Sequence, residues 1–556
     1  MFKQIEKYLL SEMEKYKIPN LSIAISKGED DIWLKGYGYA DLDEEIPATK
    51  ETIYRVASMT KPIIATALLQ WMDKGMFKLA DFANNLLENV KIQTKFDEQP
   101  TIWNLLTHTS GLPTHVPPIY KNRKEAISLE ELIRRYGKVI RPPNEVHVYS
   151  NTAYNIIGYL VGQFAGEPYP SYTKTNVLEP LEMSSSEFEL TPSIKKHIVT
   201  GYHRTKVDEP LEVVEPYVIG CVPEATSSSL FTTAEDYTRF LIAHLNGGVY
   251  KSKRILKEET TREMQKIHWK VGNSRDGRGL SWVVNWLHGY RSFSHGGGMP
   301  GVSTYGIAFP DLKVVIVMLT SLDGVGDWRM KCLGTILQMI LGKYEPFNPE
   351  TIQVVSVPDE WRKIVGTYGL MGMKHVIHIE NGYLVVGEGE EKAYLEKIGD
   401  KRYLIHGSVN DGREIMFEYD KEGKVKEIIL GTNSYPRYVE EALPADENAE
   451  ILGSWYGEYV NSLHPFTLNL EIENHARAKV TDMVGNIVPV CNFKADKGIV
   501  AGSFKCKVLP EYLGWTNNWG FKNELEITFS LAAIKNTLQG YIGFRTMRAS
   551  ITLERM

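Results

Sequence analysis

Apolar and polar positions follow two regimes along this chain, divided near residue 345. Before the divide, apolar residues recur at helical spacing: Phe2, Ile5, Leu9, Met13 and Tyr16 form one stripe, and Ile64, Leu68, Trp71 and Met72 form another. Between these helices, Leu21-Ser22-Ile23-Ala24-Ile25 and the run 32–39 read as paired strands joined by the turn residues Lys27-Gly28-Glu29-Asp30. Residues 101–112 predict a helix and turn closed by Gly111, and 154–161 predict an apolar helix. Thr233 with Asp236 predicts a capping box made with the shorter acid. Residues 303–309 and 314–319 read as two apolar strands that follow a histidine-glycine run.

After the divide the helical period fades, and short strands alternate with turns such as Glu380-Asn381-Gly382, Lys421-Glu422-Gly423 and Asp496-Lys497-Gly498. The stretches 361–369 and 451–457 look like a divergent repeat, and each opens roughly a hundred residues of strand-like sequence. The expected organisation is therefore a domain over 1–345 with an antiparallel sheet packed on helices, a linker over 346–358 and a first β-barrel over 359–442. A second linker over 443–450 and a second antiparallel β-barrel over 451–556 complete it.

Composition narrows the class. A length of 556 residues exceeds one core, and 43% hydrophobic with 24% charged residues is a globular balance. The net charge of -6 and the absence of a basic tract argue against a nucleic-acid partner. No run reaches membrane-spanning length, and the start lacks the apolar core and cleavage site of a secretory signal. A cytoplasmic protein without a membrane partner is the expectation. Four scattered cysteines, Cys221, Cys332, Cys491 and Cys506, form no metal-like cluster and read mostly as small buried hydrophobes, with a Cys491–Cys506 bridge left open.

Three stretches carry candidate chemistry. In Ser58-Met59-Thr60-Lys61 a hydroxyl near a helix start and an amine one turn later share a face. That suits a serine nucleophile whose proton leaves toward a neutral lysine, and it equally suits an N-cap serine with a solvated lysine. Tyr149 and Asn151 stand on a loop at the mouth of the next helix, fit for proton transfer and substrate hydrogen bonding, or for a core tyrosine with a capping asparagine. His295-Gly296-Gly297-Gly298 falls on or beside a sheet edge. Its glycines allow close approach and expose a backbone N–H for an oxyanion, or simply form a hairpin. His108 reads as a structural, hydrogen-bonded histidine at a helix end.

In this order, Ser58-x-x-Lys61, Tyr149-x-Asn151 and His295-Gly296-Gly297 resemble the penicillin-recognising serine hydrolases over residues 1 to 345, as do Thr107–Leu112 and Tyr149–Thr152. That family includes class C β-lactamases, D-alanyl-D-alanine carboxypeptidases, D-aminopeptidases and related esterases. The resemblance implies an α/β (α+β) catalytic domain in which Ser58 is acylated while Lys61 and Tyr149 share the proton traffic. It implies that Asn151, His295, Gly297 and Gly298 bind substrate, with the N–H groups of Ser58 and Gly298 as the oxyanion hole. No metal or organic cofactor is expected; the partner is a small peptide, amide or ester. His295 stands where many relatives carry the lysine of Lys-Thr-Gly, and a histidine only fractionally charged near neutral pH would hold a substrate carboxylate less firmly. The departure resembles the D-aminopeptidase and esterase side of the family, whose layout of a catalytic domain and two barrels also matches the tail. The implied function is a D-aminopeptidase-like serine hydrolase, with a carboxylesterase, a weak β-lactamase or a catalytically silent scaffold as alternatives. Homo-oligomerisation through the barrels stays open, as does whether the stretch 513–520 is a barrel hairpin or a loop reaching the site.

Overall fold

A computed structural model of the chain describes all residues except 30, 114–126, 146, 205, 215–225, 346–347, 349–356, 370–374, 389–391, 408–409, 439–449, 461–464, 482–486, 497–498, 508–523, 535–536, 545–546 and 556. Cys221 and the stretch 513–520 lie outside the described residues.

The two expected strands form as Asn20–Lys27 and Ile32–Asp41, but the first also pairs antiparallel with Val314–Thr320 from the far end of the domain. The sheet runs Gly277–Arg278, Val283–Leu287, Tyr290–Met299, Val302–Phe309, Val314–Thr320, Asn20–Lys27, Ile32–Asp41 and Ile46–Pro47, eight strands in all. Val314–Thr320 is buried at every position because both faces of the sheet are covered. Val315, Val317 and Leu319 enter one core with the helices Thr60–Asp73, Asn151–Ala165 and Ala234–Leu245. Ile316 and Met318 enter the other, with the helices Phe2–Lys15 and Gly326–Ile340. The period of two thus divides one apolar strand between two layers of helix.

Of two predicted helix ends, one shifts and the other keeps its cap residue. The helix Ile102–Thr107 stops at His108, which adopts the left-handed conformation at φ 61°. Gly111, at φ 70°, serves instead where a Cβ would stand 1.9 Å from the Arg141 carbonyl oxygen. Thr233 does cap Ala234–Leu245 by accepting from Asp236 N at 3.1 Å, but the Asp236 carboxylate turns away, accepting from Ser185 N (2.9 Å) and Ser186 Oγ (2.8 Å). The capping box is therefore only half made.

Beyond the first domain, the eight strands from Gly366–Tyr368 to Asn433–Tyr438 close into a barrel, first strand against last. Tyr368, Ile377, Leu384, Leu395, Ile415 and Phe417 belong to its core. The second β unit is a nine-stranded antiparallel sheet between Gly453 and Arg555. It folds back so that Val490 N donates to Ala478 O (2.9 Å) and Ala495 N to His475 O (3.3 Å). The two units open alike: Tyr368 donates to Ile364 O and Trp455 Nε1 to Ile451 O, each four residues back. Cys332 is free and buried. Cys491 is free and exposed, so it is neither a core residue nor bridged to Cys506.

The first barrel docks on the outer strands of the eight-stranded sheet. His288 N donates to Gly412 O at 2.8 Å, Gln338 Nε2 to Asp411 Oδ2 at 3.0 Å, and Ser274 Oγ to Gly431 O at 3.1 Å. Arg275 meets Glu414 at 2.7 Å and Arg413 faces Asp276 at 3.6 Å. Gly412, at φ 77°, lies so close that a Cβ would stand 2.5 Å from the His288 ring. Among the described residues, no helix is long and apolar enough to cross a membrane.

Candidate active site

Ser58 sits on a sharp turn. Ala57–Met59 forms a short 3-10 turn ahead of the helix Thr60–Asp73, and Ala57 is left-handed at φ 47°, a conformation that costs a residue with a Cβ. The surroundings hold it there. Val56 N donates to Leu230 O (3.0 Å), Thr304 Oγ1 to Val56 O (3.1 Å), Tyr237 to Met59 O (2.9 Å) and Thr60 Oγ1 to Ala57 O (2.7 Å). Across residues 52–69, Ser58 alone is not fully buried. Its hydroxyl caps no helix, because neither the 3-10 turn nor the α-helix has a side-chain cap. The capping role suggested by its position is therefore not the one it plays.

Lys61 Nζ lies 3.0 Å from Ser58 Oγ and donates to Ser227 O at 3.0 Å. The side chain is fully buried, with Nζ 4.8 Å from the centre of the Tyr149 ring and 5.6 Å from that of Tyr154. Burial alone pushes its pKa well below that of an ordinary lysine. The alternative of a solvated lysine is excluded.

Tyr149 reaches the same hydroxyl. Its own hydroxyl hydrogen-bonds Ser58, and burial pushes its pKa up to about 12, against the opposing pull of that bond and of Arg278. The helix behind it is capped by Ser150, whose Oγ accepts from Ala153 N at 3.0 Å, so Asn151 is the first helical residue and not the cap. His108 brackets Tyr149 on both sides. Its Nδ1 accepts from Ser150 N at 3.0 Å, its carbonyl accepts from Val148 N at 2.9 Å, and its ring centre lies 4.3 Å from the tyrosine ring centre.

The histidine-glycine run lies on a locally open edge, because Val283–Leu287 pairs with this strand only from Tyr290 to Ser294 and no described strand pairs with His295–Met299 on that side. It belongs to Tyr290–Met299, third in the order of the sheet, in register with Val302–Phe309 from His295↔Gly306 to Gly297↔Thr304. Gly297 is where this strand meets the turn before Ser58: a Cβ there would stand 2.1 Å from Val56 O and 2.3 Å from Thr304 Oγ1. Gly298 is exposed, with nothing within 4 Å of a Cβ. His295 is buried, its ring centre 6.4 Å from that of Tyr149, and Nδ1 and Gly296 O are 2.7 Å apart. Burial, then the neighbouring Lys61, pushes its pKa down to about 3. It is therefore neutral at physiological pH, not fractionally charged as its residue type suggested.

Ser58, Lys61, Tyr149 and His295 thus converge from three separate parts of the chain, and Arg278, Tyr154 and Ser227 join them. No motif marks these last three. Ser227 acts through its backbone carbonyl, and Tyr154 and Arg278 are single residues whose proximity arises only on folding.

Buried histidines make the fold sensitive to acid. Burial lowers the pKa of His147, His244 and His295 to about 3, and that of His108 well below 6.5. Below pH ~6.5 the unfolded chain binds protons that the folded one refuses, so stability present near pH 7 is lost as pH falls toward 3. At pH 5 each of His147, His244 and His295 costs roughly 2 kcal/mol. The melting temperature is expected to drop clearly between pH 7 and pH 5, and a flat profile over that range refutes this account.

Comparisons with known proteins agree with this architecture. Penicillin-binding protein 4* of Bacillus subtilis is 25% identical over 417 residues, covering 71% of this chain and 87% of that one. Among solved structures, an octameric penicillin-binding protein homologue from Pyrococcus abyssi aligns with a TM-score of 0.54 at 22% identity, over 78% of this chain and 99% of its own. D-amino acid amidase from Ochrobactrum anthropi SV3 aligns at 0.51 and 20% identity, over 61% and 100%. At such identities the structural likeness speaks for the fold. The beta-lactamase family profile matches residues 5–331, more than half of the sequence, and its span holds the turn, the helix and the strand described above: this chain belongs to the beta-lactamase family.

Proposed function

We propose that the protein is a serine hydrolase that cleaves peptide or amide bonds of small substrates, D-residue amides among them, through an ester on Ser58. One observation carries the reading: a buried amine without a described carboxylate partner lies 3.0 Å from the only incompletely buried hydroxyl of its segment, with a phenol bonded to the same oxygen. The D-amino acid amidase neighbour supports the choice of substrate.

In this mechanism Ser58 Oγ attacks the substrate carbonyl as its proton passes to neutral Lys61 Nζ, whose other hydrogens remain available to Ser227 O. The developing oxyanion meets the N–H groups of Ser58 and Gly298. Tyr149 is protonated at neutral pH, so it delivers its proton to the leaving amine and is resupplied from Lys61. Water then cleaves the ester with the same groups acting in reverse. Asn151 hydrogen-bonds the substrate amide, and Gly297 keeps the strand close enough for the carbonyl to lie between nucleophile and oxyanion donors. Homo-oligomerisation belongs to the proposal on the strength of the octameric Pyrococcus homologue, and light scattering tests it.

D-alanine p-nitroanilide and p-nitrophenyl acetate, assayed side by side, test the substrate class. Wild type is expected to release nitroaniline and Ser58→Ala is not. Turnover of the acetate alone makes the protein an esterase, and failure of a fluorophosphonate to label Ser58 makes it a silent member of the fold.

A further inference from the structure

The strand pair that carries the histidine-glycine run is closed by a two-residue turn, Pro300-Gly301, between Tyr290–Met299 and Val302–Phe309. Turns that match the twist of so short a hairpin need a positive φ at the first loop position, and the proline ring forbids it there. The positive φ falls instead on Gly301, at 70°, as in a type II turn, whose twist splays the strands it joins. Such a hairpin needs holding from outside. Gly298, the proposed oxyanion donor, stands two residues before Pro300, so whatever holds the turn also sets that N–H.

Asp323 does the holding. Its Oδ2 accepts from Gly301 N at 2.7 Å, and its Oδ1 lies 2.8 Å from His203 Nδ1. A carboxylate only accepts, so the imidazole donates and fixes the plane of the acid. The two residues come from segments joined through their backbones: Tyr202 N donates to Ser321 O at 2.7 Å and Asp323 N to Tyr202 O at 3.3 Å. Gly201 backs the turn directly, since a Cβ on Gly301 would stand 2.9 Å from Gly201 Cα. On the other side, Arg55, three residues before Ser58, donates from Nη2 to Pro300 O at 3.5 Å. The turn is thereby gripped between the segment of the nucleophile and the pair Asp323–His203.

We propose that Asp323, oriented by His203, is a positioning residue for the oxyanion hole: by holding Gly301 N–H it fixes the turn, and through the turn the placement of Gly298 N–H relative to Ser58. The proposal rests on the acyl-transfer reading of Ser58. It ties the rate of the reaction to two side chains outside the Ser58–Lys61–Tyr149 unit.

A thiono substitution tests it on the full chain. p-Nitrophenyl acetate and its thiono analogue, with sulfur in place of the carbonyl oxygen, share shape and leaving group, but sulfur is the weaker hydrogen-bond acceptor. The readout is the ratio of kcat/KM, oxygen over sulfur, so a loss of active protein cancels. Wild type is expected to favour the oxygen ester beyond its advantage in uncatalysed hydrolysis. Asp323→Ala lowers the ratio about tenfold or more, part of what removal of an oxyanion donor costs, and does so through kcat more than KM. Asp323→Asn, which still offers one oxygen to Gly301 N, keeps most of it. His203→Ala lowers the ratio in the same direction, and His203→Asn, whose amide can donate to Asp323, restores it. A ratio unchanged in Asp323→Ala, or a loss of activity equal for both esters, overturns the inference. An unchanged ratio in His203→Ala overturns the part given to the histidine, and the whole inference where Asp323→Ala does not fold. A wild-type ratio no greater than that of uncatalysed hydrolysis, with Ser58 labelled by fluorophosphonate, overturns it while leaving the hydrolase reading intact. Absence of label on wild type instead brings down the hydrolase reading itself.

Discussion

Replacing Lys61 by methionine is expected to lower kcat/KM on p-nitrophenyl acetate by roughly a thousandfold while leaving the protein folded, because loss of a positioned base costs about that much. Methionine has nearly the same reach and no charge. At 0% exposure, and without a described carboxylate to compensate it, the Lys61 amine is an expense to the fold that the substitution removes. The melting temperature should therefore hold or rise as activity disappears, a combination that a merely structural lysine would not give. Ser58→Ala combined with Lys61→Met is expected to be no worse than either alone, since nucleophile and base act as one unit. Independent, multiplying losses in the double variant would show that the 3.0 Å contact between them is incidental.

Gly297→Ala is expected to be nearly as damaging by another route. The added methyl would stand 2.1 Å from Val56 O and 2.3 Å from Thr304 Oγ1, and those two atoms are hydrogen-bonded to each other at 3.1 Å. Strand and turn must separate, at about 1–3 kcal/mol of stability for the overpacking. Because the turn carries Ser58, a displacement near 1 Å also costs about a hundredfold in rate. Gly298→Ala, one residue on, meets nothing within 4 Å and keeps its backbone N–H, so its stability should match wild type. Thermal melts of the two variants decide the matter: equal stability would mean that close approach at Gly297 does not hold the site together.

Much of this was legible in the chain because local chemistry dictates it. The helix Thr60–Asp73 follows from its apolar spacing, the pairing of Asn20–Lys27 with Ile32–Asp41 from a short turn between β-prone runs, and the eight strands after Gly366 from regularly placed turn residues. Local signals failed where a distant segment decided the outcome. Ser150 outcompeted Asn151 as the cap, and Asp236 was drawn from Thr233 by Ser185 and Ser186. His295 lost its expected partial charge by burial beside Lys61. The sheet-edge reading of its glycines did hold, because Val283–Leu287 pairs with that strand only as far as Ser294 and leaves the glycines open on that side.

The sequence by itself determined the elements and the residue types that meet in the cleft, since periodicity, turn chemistry and side-chain functional groups are properties of short stretches. Only the tertiary structure decided protonation and partnership. Solvent exclusion favours the neutral amine of Lys61 and keeps the Tyr149 phenol protonated and the His295 imidazole neutral. Those states depend on what is packed around each group, and packing is set by segments hundreds of residues apart, which no local pattern encodes.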